Sequence, residues 1–118
     1  MATILVIEDD VITLKVLQLK LKVDNHTIIE RRDGRNVDKI INDHDIDFFI
    51  TDLNLPFKSG EEIINEIIQL KPDAKIIITS MNSKENISPD LLDKVGWFIQ
   101  KPYTSEEFEH LKYVLKAL

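Results

Sequence analysis

Five polar side chains close short runs of apolar residues in this chain. Glu8 and Asp9 follow TILVI, Asp52 follows FFIT, Thr79 ends KIIIT, and Lys101 follows WFIQ. Carboxylates crowded at one point repel one another and raise each other's pKa unless a cation joins them. Hard oxygen ligands with room for water suit Mg²⁺, which prefers a few carboxylates together with phosphate oxygens. A lysine and a hydroxyl beside such acids are donors for an anion. A carboxylate nucleophile, a divalent metal and a lysine together describe phosphoryl transfer to aspartate. Asp52 is the candidate nucleophile. It ends an uncharged run, and Pro56 forbids the strand from continuing far beyond it.

The elements that must position these groups can be read in order. Strands are expected at Thr3–Ile7, His26–Glu30, Phe48–Asp52, Lys75–Thr79 and Trp97–Gln100, all short and apolar or β-branched. Leu14, Leu17 and Leu21 predict a first helix over about residues 11–22. Val37, Ile40 and Ile41 mark a second, ending near Asn42–Asp45. Ser59 with Glu62 forms a capping box before the stripe Ile63, Ile64, Ile67, Ile68 and Leu70, which Pro72 stops. The segment from Ser80 to Ser88 reads as a polar loop. Ser88 is placed to cap a helix with Pro89 at its first position, closed by Gly96. Thr104 and Glu107 supply another capping box, and Phe108, Leu111 and Leu115 carry the last helix. Strand and helix alternate throughout. The fold class is therefore α/β, a doubly wound parallel sheet with helices on both faces and a crevice at its carboxyl edge.

Composition narrows the setting. A chain of 118 residues reads as one domain, residues 1–118, able to bury a core without staples. It has no cysteine, which fits a reducing cytoplasm and excludes disulfides and thiolate metal sites. No stretch approaches the roughly 20 apolar residues of a membrane helix. A net charge of −6 argues against direct binding to nucleic acid.

Four segments in register, ILVIEDD, FFITDLNLPFKSG, KIIITS and FIQKPYT, resemble the receiver domain of two-component response regulators. The resemblance covers essentially the whole chain and implies the flavodoxin-like strand order 2-1-3-4-5. It makes Asp52 the phosphoacceptor and Glu8, Asp9, Asp52 and the Asn54 backbone carbonyl the Mg²⁺ ligands. Thr79 and Lys101 become the residues that grip the phosphoryl oxygens, Phe98 takes the aromatic switch position, and the Lys101–Pro102 bond is expected to be cis. A sensor histidine kinase or phosphotransfer protein is the implied donor, and an unknown partner or effector domain receives the signal. The protein is then a cytoplasmic signalling switch, with autophosphorylation and autodephosphorylation as its only chemistry. Trp97, beside Phe98 but on the other side of the strand, is expected to be partly exposed at a partner surface.

Departures from the family pattern are local. Phe98 stands where tyrosine is commoner, and Ser80 where a smaller residue is usual. Pro89 comes late in the fourth helix. Trp97 and Leu111 stand at or near positions where one DNA-binding subfamily pairs an aspartate with an arginine for dimerisation.

Plainer readings exist for each residue. Glu8 and Asp9 would also suit a helix amino terminus, Thr79 an ordinary strand end, and Phe98 the core. His26, His44 and His110 share no ligand spacing. At the level of the whole chain the rivals are an Mg²⁺-dependent aspartyl phosphatase of haloacid-dehalogenase type and a degenerate receiver serving as a binding module. The first wants an acid two residues after the nucleophile, where this chain has Asn54. A flavodoxin-like cofactor carrier is disfavoured by the acids after the first strand, which would repel a cofactor phosphate.

Overall fold

A computed structural model describes residues 2–117. Its strands are β1 (Thr3–Ile7), β2 (Thr27–Arg31), β3 (Phe48–Asp52), β4 (Ile76–Ser80) and β5 (Trp97–Gln100). The helices are α1 (Val11–Val23), α2 (Val37–Asp43), α3 (Gly60–Leu70), α4 (Pro89–Val95) and α5 (Ser105–Ala117). All strand pairs are parallel and the order is β2-β1-β3-β4-β5.

Alternation along the strands divides the core in two. Leu5, Ile7, Phe49, Ile76 and Ile78 pack with Val37 and Ile40 of α2, Ile63, Ile64 and Ile67 of α3, and Leu91 and Val95 of α4. Ile4, Val6, Phe48, Ile50, Ile77 and Ile99 pack with leucines of α1 and with Phe108, Leu111, Val114 and Leu115 of α5. Two helical layers thus enclose a sheet whose central strands are apolar on both faces. Each isoleucine buried this way contributes about 2 kcal/mol of transfer free energy, so the short strands hold despite their length.

The same alternation aims the polar residues. Continuing Val6 by two positions gives Glu8, Ile50 gives Asp52, Ile77 gives Thr79 and Ile99 gives Lys101. All four therefore leave their strands on the α1–α5 side, at the carboxyl edge of the sheet.

Local chemistry sets the turns. Asp10 caps α1 by accepting from the Thr13 amide, and Ser59 caps α3 through the Glu62 amide at 3.2 Å. Thr104 does the same for α5 with Glu107. Gly60 has no alternative residue. A Cβ there would stand 2.4 Å from the Asp52 carbonyl oxygen and 2.5 Å from Leu53 Cα, so the start of α3 lies directly against the turn that follows Asp52.

Four expectations need correction. β2 runs from Thr27 to Arg31, not from His26 to Glu30, because the Glu8 amide donates to the Arg31 carbonyl and extends the pairing. β4 is displaced by one residue, taking in Ser80, whose carbonyl accepts from the Lys101 amide. The Ser80–Ser88 segment is not all loop, since Lys84–Asn86 form a 3-10 turn. Ser88 stands at the amino-terminal boundary of α4, but its side chain makes no capping hydrogen bond.

Candidate functional site

Asp52 is the last residue of β3 and only 3% exposed. Its Oδ1 accepts the Asn54 amide at 3.2 Å, so the chain curls around the carboxylate on leaving the strand. Its Oδ2 lies 2.6 Å from Lys101 Nζ. The same ammonium donates to Glu8 Oε1 at 2.8 Å, while Glu8 Oε2 accepts the Asp10 amide at 3.1 Å. Glu8, Asp9 and Asp52 bring one carboxylate oxygen each to within 4.8 Å of one another. Glu8 and Asp52 are buried, and Asp9 faces solvent.

Burial is the main influence on Glu8 and raises its carboxyl above the ordinary value of 4.5, with the nearby Asp52 charge adding to it and the Lys101 bond opposing it. Burial also works against the Lys101 ammonium, but its bonds to Asp52 and Glu8 outweigh that, and its pKa stands above 10.5. One lysine thus faces two buried carboxylates and an exposed third. Such a pocket has ligand capacity for a hard divalent cation, and Asp9 is the acid that reaches solvent without a lysine partner among the described residues.

Thr79 pairs with Asp52 in the β3–β4 register and is buried at the pocket's edge. Met81, two residues on, is largely exposed. Phe98 and Trp97 lie outside the pocket. Phe98 packs half-buried on the α2–α3–α4 cluster, and Trp97 packs half-buried on the α1–α5 cluster. Both rings border grooves shared with Lys84 and Gly96, of about 370 and 420 Å³. The Lys101–Pro102 peptide is cis.

A tyrosine that no motif singled out stands behind the site. The Tyr103 ring sits 5.3 Å from that of Phe108, and its phenol neighbours the Thr79 hydroxyl and feels the charges of Glu8 and Asp52. Burial, above all, holds that phenol well above its ordinary 10.0. Its only signal in sequence was its place two residues after Lys101.

The response regulator receiver domain model matches residues 4–111. The chain belongs to this family. As a receiver domain it is 27% identical over 107 residues to the aerobic respiration control protein ArcA of Escherichia coli, covering 88% of this chain and 44% of ArcA. It is 33% identical over 115 residues to the response regulator ArlR of Staphylococcus aureus, covering 91% of this chain and 49% of ArlR. The chain therefore spans about half the length of these curated relatives. Among solved structures, the response regulator TrrA of Thermotoga maritima, crystallised with Mg²⁺ and BeF, superposes with a TM-score of 0.86 at 27% identity. That match covers 99% of this receiver and 98% of TrrA. Receiver domains are signalling modules, and the acidic cluster here is the feature of this one that fits a metal.

Proposed function

We propose that this receiver is a phosphorylation-operated switch whose acceptor is Asp52. The observation that carries the reading is the paired contact of Lys101 with Asp52 and Glu8, at 2.6 and 2.8 Å, at the mouth of an otherwise apolar sheet. Glu8, Asp9 and Asp52, with the Asn54 backbone carbonyl, would hold Mg²⁺. When bound, the ion neutralises charge on the carboxylates and on the phosphoryl oxygens.

An Asp52 oxygen attacks phosphorus in line with the donor's leaving group, which departs with the electron pair of the broken bond. For a phosphohistidine donor that group is the imidazole. Lys101 then exchanges part of its contact with Asp52 for a phosphoryl oxygen, and the Thr79 hydroxyl donates to another. Movement of Thr79 toward that oxygen shifts the end of β4 against β5, with which it is paired, and the α4–β5–α5 surface carrying Phe98 and Trp97 passes the change to a partner. TrrA's crystallisation with Mg²⁺ and BeF supports extending the same ligand chemistry to this chain.

The donor is a sensor histidine kinase or a phosphotransfer protein, and the output is a partner or an effector domain. Autophosphorylation and autodephosphorylation are its only catalysis, and its setting is the cytoplasm. No described helix is long and apolar enough to cross a membrane.

Intact mass after incubation with acetyl phosphate and Mg²⁺ tests the reading. One added phosphoryl group on the wild type, absent from Asp52→Asn, is the expected result. Equal uptake by the variant would assign the acceptor elsewhere.

A further inference from the structure

Three carboxylates stand against one lysine, in a chain of net charge −6. Mg²⁺ held there would bring the pocket only to neutrality, so a phosphodonor dianion meets no net positive charge on the way to Lys101. Yet all three arginines of the chain fall within five consecutive residues, Arg31-Arg32-Asp33-Gly34-Arg35, at the end of β2 and in the turn that follows it beside this mouth.

Two of the three are occupied. Arg31 donates from Nη1 to the Glu30 carbonyl at 3.0 Å. Arg35 bonds Asp33 through its amide at 2.9 Å and its guanidinium at 3.1 Å, and that guanidinium lies 4.1 Å from the centre of the Phe57 ring. Phe57 is 73% exposed and has a φ of 70°, a left-handed backbone that a bulky residue rarely adopts. Gly34 lets the turn close down on α3, since a Cβ there would stand 2.3 Å from Ile63 Cδ1. The turn is thus fastened to the segment following Asp52 at two points. Arg32 is different. Its side chain lines a cavity of about 460 Å³ with Asp9, Asp33 and Pro56, and among the described residues its guanidinium has no hydrogen-bonding or salt-bridge partner.

We propose that Arg32 is a phosphodonor-binding residue, which captures the phosphoryl dianion at the Asp9 side of the mouth before transfer. The inference rests on the receiver reading above. A guanidinium presents a planar fork that matches two phosphate oxygens, which an ammonium cannot do. The turn held by Gly34, Arg35 and Phe57 places Arg32 on the cavity that Asp9 also lines. With acetyl phosphate, the Asp52 oxygen bonds to phosphorus as the bond from phosphorus to the acetyl oxygen breaks, and acetate leaves as the anion.

The test measures the initial rate of phosphoryl uptake, at fixed Mg²⁺, against the concentrations of acetyl phosphate and of phosphoramidate. Arg32→Ala is expected to raise half-saturation about fivefold or more for both donors, with the decay rate of the phosphorylated form unchanged. Arg32→Lys should recover only part of this, and Arg35→Ala should matter less. Wild-type half-saturation should also worsen more steeply with added NaCl than that of Arg32→Ala. Unchanged half-saturation in Arg32→Ala, with tighter Mg²⁺ binding, would make Arg32 a partner of Asp9 only and overturn the proposal. An effect confined to acetyl phosphate would put the contact on the acyl group and overturn it too. Failure of the wild type itself to take up phosphoryl would overturn the phosphorylation-switch reading along with it.

Discussion

Lys101 Nζ lies 2.6 Å from Asp52 Oδ2, and neither residue is more than 7% exposed. Because the same ammonium also serves Glu8 at 2.8 Å, it is the one cation among the described side chains that holds both buried acids. Removing it leaves two carboxylates in a site with little water. Lys101→Met should lower the unfolding free energy without metal by about 3 kcal/mol, as when one partner of a buried pair is lost. Millimolar Mg²⁺ should restore much of that. Urea titrations with and without Mg²⁺ measure both effects, and a variant as stable as the wild type in EDTA would contradict the account.

Asp9 differs from Glu8 in facing solvent. Its replacement should therefore cost the metal-free fold little while weakening the metal site. For the wild type, Mg²⁺ at ten times its dissociation constant should add about 1.4 kcal/mol by linkage. Asp9→Ala should lose most of that increment and melt within a degree or two of the wild type in EDTA. Thermal scans across a Mg²⁺ series check this, and equal increments in the two chains would exclude Asp9 as a ligand.

Trp97 is the only tryptophan, and it follows Gly96 directly on β5. It is half-buried on the α1–α5 cluster, while Phe98 turns toward α4. If Phe98 moves with Thr79, the indole must feel the same strand shift. Addition of beryllofluoride and Mg²⁺ should change its emission, and Asp52→Asn should abolish the change. Trp97→Ala should phosphorylate normally and weaken partner binding by about 1 to 2 kcal/mol. An emission spectrum blind to beryllofluoride would detach Trp97 from the switch.

His26 provides a pH test away from the site. Its Nδ1 accepts the Ala2 amide at 3.1 Å, so the bond requires the neutral ring. Burial, chiefly, depresses its pKa below 6.5 in the fold. A depressed histidine contributes stability that is full above the unfolded value and is lost as pH falls through the folded one. The urea midpoint should therefore hold from pH 8 to about 6.5 and then decline, with a shallower decline in His26→Gln. Parallel profiles for the two chains would contradict this.

Much of this architecture could be read from residue order, because the determining features were local or periodic. β3 and β5 match their expected bounds, since Pro56 and Gly96 punctuate them sharply. β2 and β4 differ by a residue because charge and hydroxyl conceal strand ends: Arg31 and Ser80 look like loop but extend backbone pairing. Glu8, Asp52, Thr79 and Lys101 were legible as a set, each lying two positions beyond an inward apolar residue. Arg32, Phe57 and Tyr103 were not. Phe57 and Tyr103 are placed by contacts made across the fold and Arg32 by a cavity shared with Asp9, and no periodicity marks a lone side chain.

Adjacent residues of β5 serve opposite layers of the molecule, and β5 has a strand neighbour on one side only. An edge strand held on one flank twists more readily than a central one. A small torsion about its long axis would swing Trp97 and Phe98 in opposite senses, pressing one aromatic ring inward as the other lifts.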